Sequence, residues 1–393
     1  MKRFFYTVVC IFVFQAVAAS GLDIKRITYN DYNDWRPQVN GSYITWYGTA
    51  GTSNTDEIFL YNITSDTIQR ITTNATNDRY SRVSSTGNVA WEAWRGPSNE
   101  YQDIYFYNSA TGTSNALISN TKPDYDPQID GNNVIWYGNT IGFEIFYFNG
   151  TSTTQMTNRP YVSSFKPQLE NNIAVWSGYD DTLKYKEQIY YHKITENETY
   201  RITASSADNF REPQISGSKI AYIGASGMAN TDEIYYYDIT SGITVQVTDN
   251  AYVDNQVRID GNYITWHGAV DGSKYQVYLY DTLTGITIQL SEQSIGGYYP
   301  DVDEGRVAWT GMDGNIYVFD IATGETIQVT NTPYNEASVQ VCGNVLTWEG
   351  HIDADWEIFM TSFPEVEPVP EPLSAALLGI LLICGWITKR IRR

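Results

Sequence analysis

Short runs of alternating apolar and polar residues fill most of this chain, the period-2 pattern of strands with one face buried. The runs recur at a nearly constant interval. Trp46, Trp91, Trp136, Trp176, Tyr222, Trp266, Trp309 and Trp348 each end a short apolar run, at spacings of 45, 45, 40, 46, 44, 43 and 39 residues. That interval is what four short strands and their turns occupy in one blade of a β-propeller. Within a unit the first strand is short, as in Pro37-Gln38-Val39 or Pro213-Gln214-Ile215. Asn40-Gly41, Asp130-Gly131, Ser216-Gly217 and Asp260-Gly261 follow as predicted two-residue hairpin turns. The second strand carries the aromatic marker, the third reads like Glu57-Ile58-Phe59-Leu60-Tyr61, and the fourth like Thr67-Ile68-Gln69-Arg70-Ile71-Thr72.

The ends of the array complete each other. Seven units have all four strands, whereas the eighth stops after Glu357-Ile358-Phe359. At the opposite end Ile24-Lys25-Arg26-Ile27-Thr28 matches the fourth-strand pattern. Pairing residues 24–28 with Glu357–Met360 closes a ring and removes the exposed sheet edges of an open array. The predicted fold is therefore all-β: an eight-bladed propeller of four-stranded antiparallel blades. Gln38, Arg82, Gln128, Gln168, Gln214, Arg258, Asp301 and Gln340 fall in one column of the innermost strands. They predict a polar ring at one level of the central channel, where water solvates what a core cannot.

With its Pro before the first strand, Gly turn, aromatic-ended second strand, Ile-Tyr third strand and closing Leu/Ile-Thr, the unit resembles the TolB-type propeller repeat over residues 22–363. The resemblance implies the fold and little about function. TolB itself carries an α/β domain ahead of its propeller, for which this body leaves no room. Lyases with TolB-like propellers use clustered histidines, and His192, His267 and His351 fall in units four, six and eight, where no two adjoin.

The two termini read as targeting segments. Residues 1–20 have the charged start, apolar run and Ala16-Val17-Ala18 closing signal of a secretory signal peptide. Pro364, Pro368, Pro370 and Pro372 stiffen a linker at 364–372. Residues 373–393 follow as an apolar stretch ending in Lys389, Arg390, Arg392 and Arg393, the order of a membrane segment with its positive end in the cytoplasm. Val369-Pro370-Glu371-Pro372, Leu377-Leu378-Gly379 and the basic end together resemble the PEP-CTERM sorting tail. That resemblance implies an exosortase-type membrane peptidase as a partner. It also implies anchoring at the inner membrane, then passage to the cell surface or beyond.

Charge and candidate chemistry narrow the function. The chain has 45 acidic and 25 basic residues; between the two targeting segments, 42 and 19 remain, a net charge of −23. Such a body disfavours nucleic acid and anionic lipid. Cys342 is alone in it, so stability comes from packing rather than an internal disulfide, and Cys342 falls in the turn column. No Gly-x-Ser-x-Gly elbow occurs. Acidic loops between second and third strands, with Asp313, Asp353 and Asp355, offer oxygen ligands of the kind Ca²⁺ takes; no other cofactor is expected. Tyr32, Trp35, Tyr298, Tyr299 and Asp301 lie at the connections between units, where flat rings and polar groups suit sugar or peptide. The resulting expectation is a monomeric, non-catalytic surface or matrix protein that binds polysaccharide or a protein partner. The alternatives are a glycan hydrolase or lyase using loop carboxylates, and a structural scaffold.

Overall fold

The computed structural model describes residues 17–18, 22–50, 55–95, 101–159, 162–226, 231–269 and 274–363. The sorting motif Val369–Pro372, the tail and most of the signal segment lie outside the described residues, as does the Asp271-Gly272 loop. Among the described residues the chain forms eight antiparallel sheets, each built from four consecutive strands or, in the last, from both ends of the body. Numbered as blades one to eight in chain order, their first strands are Asp34–Asn40, Asp78–Val83, Asp124–Asp130, Ser164–Glu170, Phe210–Ser216, Asp254–Asp260, Tyr298–Asp303 and Glu336–Cys342. These first strands neighbour one another around the axis, and fourth strands such as Thr67–Arg70 and Glu198–Arg201 are exposed at the rim. The strand Val17–Ala18 lies parallel to Ile327–Gln328, outside blade seven.

Eight apolar clusters hold the ring, one between each pair of neighbouring blades. The aromatic markers are their centres: Trp46, Trp91, Trp266, Trp309 and Trp348 are each 1% exposed. Each marker faces a ring across the sheet. Trp46 sits in register with Phe59 and stacks on it at 5.5 Å, and Trp136 does the same with Phe146 at 5.7 Å. Burying a side chain of this size contributes on the order of 3 kcal/mol, and truncating one to Ala costs about 3–5 kcal/mol.

The apolar-Thr pair that ends five of the units, Ile71-Thr72 in the first, has a specific task. In blade one, Ile71 N–H donates to Ile58 O at 2.7 Å, and Ile58 N–H returns to Thr72 Oγ1 at 2.9 Å. The hydroxyl thus takes over where the backbone ladder stops. Blades three, four, five and seven repeat the bond with Thr157, Thr203, Thr248 and Thr330.

Blade eight uses the same device with residues from the other end of the chain. Lys25 and Arg26 pair with Met360 and Phe359. Ile27 N–H donates to Ile358 O at 2.7 Å, and Ile358 N–H donates to Thr28 Oγ1 at 2.9 Å. Ile27 enters the cluster between blades eight and one beside Ile44, Trp46 and Ile358. Arg26 pairs with the buried Glu357 at 2.7 Å.

The hairpin turns differ from the sequence reading by one residue. Asn40 pairs with Tyr43, and Asp260 with Tyr263, so the turns are Gly41-Ser42 and Gly261-Asn262, with the glycines at φ +56° and +53°. Asn40, Asp130, Ser216 and Asp260 are last residues of first strands. The physical reason is that several of these side chains are needed at the strand end. Asp130 accepts from Asn171 N–H of blade four (3.0 Å), Glu170 from Gly217 N–H (3.1 Å), and Ser216 Oγ from Gly261 N–H (3.0 Å). Asp260 accepts from Glu304 N–H (2.9 Å) and Asp303 from Gly343 N–H (2.5 Å). Cys342 stands in this column too. It is half-buried rather than an exposed turn residue, and its Sγ accepts from Gly41 N–H at 3.3 Å. Side chain by side chain, one blade is stitched to the next around the lower end of the channel.

Candidate functional site

The upper end carries the connections between blades and those between second and third strands. Here the first strands share an irregularity that the sequence pattern did not reveal. Every one has a register shift two residues after it begins to pair, for example between Trp35 and Gln38 and between Asn255 and Arg258. Inside each bulge one non-glycine residue has positive φ: Arg36, Tyr80, Asp126, Lys166, Glu212, Gln256, Tyr299 and Ser338, all between +50° and +55°. That backbone costs an L-residue about 1–2 kcal/mol. Five of these residues precede proline, a position that also disfavours helical backbone.

In three of these bulges the preceding blade holds the strained residue in place. Arg36 N–H donates to the Glu349 carboxylate, Asp126 N–H to Glu92 Oε1 at 2.8 Å, and Tyr299 N–H to His267 Nδ1 at 3.2 Å. Each acceptor directly follows the aromatic marker of the preceding blade. Burial pushes the Glu92 carboxyl up to about 7 and raises that of Glu349. Burial pulls His267 down to about 4, so its imidazole is neutral at neutral pH, with Nδ1 free to accept. The backbone at the mouth is therefore set by neighbours, while the side chains themselves vary from blade to blade. Bulges of this kind re-aim side chains beside binding sites.

Below the rim a second repeated contact braces the strands. The indole N–H of Trp46, Trp91, Trp136 and Trp266 donates to Asp34, Asp78, Asp124 and Asp254 at 2.8, 3.1, 3.0 and 3.1 Å. The other carboxylate oxygen takes an amide N–H from Asn30, Asn74, Asn120 or Asn250. Burial raises these carboxyls to about 7 for Asp34, Asp124 and Asp254 and about 6 for Asp78. The signal was present in the sequence, as an Asp 12 or 13 residues before the Trp.

A cavity of about 1010 Å³ opens between blades one, two, six, seven and eight. It is at the upper end of the size range of about 300–1,000 Å³ for small-molecule sites. Aromatic rings line it: Trp35, Tyr47, Tyr80, Tyr298 and Tyr299, with Tyr299 55% exposed. Trp35 is backed by Trp356 at 5.4 Å. Four arginines reach it, Arg36, Arg79, Arg82 and Arg258, against two lining carboxylates, Asp56 and Glu349. Both carboxylates are engaged. Asp56 pairs with Arg79 and accepts from Thr49 Oγ1 at 2.8 Å, while Glu349 accepts from Arg36 N–H and from Ser338 Oγ at 2.9 Å.

Of the aromatic residues expected to bind, Trp35, Tyr298 and Tyr299 meet on this cavity. Tyr32 does not join them; it stacks on Phe59 at 6.5 Å against the core between blades eight and one. Arg36, Arg79, Tyr80 and Glu349 were not anticipated. The column Gln38, Arg82, Gln128, Gln168, Gln214, Arg258, Asp301 and Gln340 shares one register: each pairs with the residue just before its blade's aromatic marker. Each is half-buried. Asp301 accepts from Val341 N–H at 3.0 Å and lies 3.9 Å from Arg258. The three acidic loop residues belong to two blades. Asp353 opens the two-residue hairpin turn of blade eight and Asp355 starts the strand after it, while Asp313 in blade seven accepts from Tyr317 Oη at 2.8 Å. Among the described residues no three His, Cys, Asp or Glu side chains gather as a metal-holding group. His351 lies in the strand Val345–Ile352 against Trp356.

No family model matches the chain, and no curated protein matches it in sequence. Its likeness to solved structures is one of fold. The β-propeller domain of the Trilobed protease from Pyrococcus furiosus, described as having an open velcro topology, is 12% identical with a TM-score of 0.54, over 77% of this chain and 96% of that one. An oligogalacturonate lyase in complex with manganese is 12% identical with a TM-score of 0.53, over 92% of this chain and 98% of that one. TolB from Acinetobacter baumannii aligns more loosely, at 16% identity and a TM-score of 0.42, over 70% of this chain and 78% of that one.

Proposed function

We propose that this chain is an exported, non-catalytic binding protein whose upper channel mouth holds polysaccharide. One observation carries the reading: a cavity of about 1010 Å³ lined by Trp35, Tyr80, Tyr298 and Tyr299 beside polar groups, on backbone braced by the neighbouring blades. Flat aromatic faces take sugar rings, and polar groups at their edges orient them. Binding is favoured over hydrolysis because both lining carboxylates, Asp56 and Glu349, already serve as acceptors for neighbouring groups. In this reading the signal segment exports the body. The apolar tail holds it at the membrane until an exosortase-type peptidase acts near Val369–Pro372.

Titrating the full chain against a panel of neutral and acidic polysaccharides tests the binding. Trp35→Ala and Tyr299→Asn are expected to weaken it at least tenfold. Tyr29→Ala, at a ring 75% exposed and absent from the cavity lining, is expected to leave it unchanged. Failure of every polysaccharide to bind sinks the reading. Mass spectrometry of the surface protein tests the sorting: a mature form still ending at Arg393 overturns it.

A further inference from the structure

The body carries a net charge of −23, yet the cavity at its upper mouth gathers guanidinium groups. Arg36 stands on the strained bulge of blade one, with its backbone N–H tied to Glu349 and its guanidinium 5.2 Å from the centre of the Tyr80 ring. Among the described residues that guanidinium makes no ion pair. Arg82 and Arg258 point into the same space from two positions of the polar ring that are Gln in five other blades: Gln38, Gln128, Gln168, Gln214 and Gln340. Each donates to a neutral acceptor, Arg82 to Gln128 Oε1 at 3.3 Å and Arg258 to Val257 O at 3.0 Å, while their carboxylate partners are distant. Arg82 is 4.0 Å from Asp126, and Arg258 is 3.9 Å from Asp301. Burial, together with the like charges of Arg258 and Arg36, disfavours the charged form of Arg82. Three cations thus converge with few counter-ions inside an otherwise acidic protein, an arrangement that costs stability unless a ligand supplies the missing negative charge.

We propose that the cavity takes a carboxylate-bearing sugar chain, a uronic-acid polysaccharide, with Arg36, Arg82 and Arg258 facing its carboxylates and Trp35 and Tyr299 facing its rings. This rests on the polysaccharide reading above and adds the charge of the ligand. The geometry favours a uronate over an acidic peptide. Planar guanidinium groups match carboxylates two bonds at a time, and the rings beside them offer the flat apolar faces a pyranose covers. The arginines and Tyr299 sit on first strands braced by neighbouring blades rather than on long loops, so the spacing between charge and ring is built into the scaffold.

The test is calorimetric titration of the full chain with hexamers of galacturonate and of mannuronate, with their carboxyl-reduced neutral counterparts, and with hexaglutamate. The uronates are expected to bind at least tenfold more tightly than the reduced sugars and than hexaglutamate. Arg82→Gln and Arg258→Gln install the residue most blades already have, and Arg36→Asn keeps a residue that tolerates positive φ. Each is expected to fold with an unchanged circular dichroism spectrum and to lose about tenfold in uronate affinity. The reduced sugars should lose less, so the preference for uronate over reduced sugar should shrink in each variant. Equal affinity for charged and reduced sugars, or arginine variants that bind uronate as the native chain does, overturns the charge assignment and leaves the polysaccharide reading standing. Hexaglutamate binding as tightly as uronate overturns the sugar assignment. Failure of every hexamer to bind overturns both.

Discussion

The two ends of the channel are built from the same eight first strands and use them differently. At the lower end Asp130, Glu170, Ser216, Asp260, Asp303 and Cys342 each accept a backbone N–H from the next blade. Those side chains are consumed by assembly. At the upper end the backbone N–H groups of Arg36, Asp126 and Tyr299 are held by the preceding blade, and the side chains of Arg36 and Tyr299 are left over for the cavity. Tyr80, the bulged residue of blade two, lines the same cavity. The contrast teaches where a repeat fold can vary. A position whose side chain makes the stitch is limited to acceptors, whereas one whose backbone makes it can carry any chemistry.

The largest test breaks the seam that both ends share. Deleting residues 22–29 removes the outer strand of blade eight, the Ile27 contact and the Arg26–Glu357 pair. Melting temperature should fall by on the order of 10 °C, much more than on deleting a loop of equal length between second and third strands; equal losses would separate closure from stability.

Next in size is a pH effect from the braces beneath the upper rim. Asp34, Asp124 and Asp254 have carboxyls raised to about 7, and Asp78 to about 6, all through burial. A raised folded-state pKa means that the unfolded chain loses its proton first. The stability is therefore full below about pH 4 and is lost as pH rises toward 7, by up to about 1.4 kcal/mol per pH unit for each group. Asp180, held below the usual range by hydrogen bonds from Thr182, Arg201 and Tyr190 that outweigh its burial, acts oppositely, but only below about pH 4. Melting temperature should thus decline from pH 5 to pH 8, and Asp34→Asn should flatten that decline. A rise over the same window would show that these carboxylates are ionised in the folded protein.

Asp303→Ala should cost about 1–3 kcal/mol by leaving Gly343 N–H without its acceptor. Asp303→Asn, which keeps an acceptor oxygen, should cost less, and neither should change ligand affinity. Urea unfolding and calorimetry measure the two halves of that statement. Tyr299→Asn should do the reverse. It relieves strain at φ +53°, raising stability by up to about 1 kcal/mol while weakening the ligand. A destabilised Tyr299→Asn would mean that the ring is a structural cap. The smallest effect belongs to Cys342→Ser, which replaces a sulfur acceptor with the hydroxyl that blade five already uses at Ser216. Thermal melting should shift by no more than about 1 °C.

The blade count was legible because a propeller repeats a local pattern. A Trp or Tyr at the end of each second strand, an apolar-Thr pair after most fourth strands and one spare strand at Ile24–Thr28 need only counting. The residues Trp35, Tyr298 and Tyr299 were legible for the same reason, since they fall at unit junctions. Tyr32 falls there too, yet it packs inward on Phe59; a junction position does not say which way a ring turns. The hairpins were read one residue early because Asn-Gly and Asp-Gly pairs carry turn chemistry, and a lone strand cannot show that Asp130 and Asp260 are needed by the neighbouring blade.

By itself the sequence determined the period, the strand inventory, the aromatic core and the acidic surface, because each depends on residues close together in the chain. Only the tertiary structure decided the mouth. Positive φ at Arg36 requires Glu349, some 310 residues away, as acceptor, and the meeting of Arg36, Arg82 and Arg258 requires blades one, two and six to face one channel. No local pattern encodes that meeting; the closure of the ring brings those charges together.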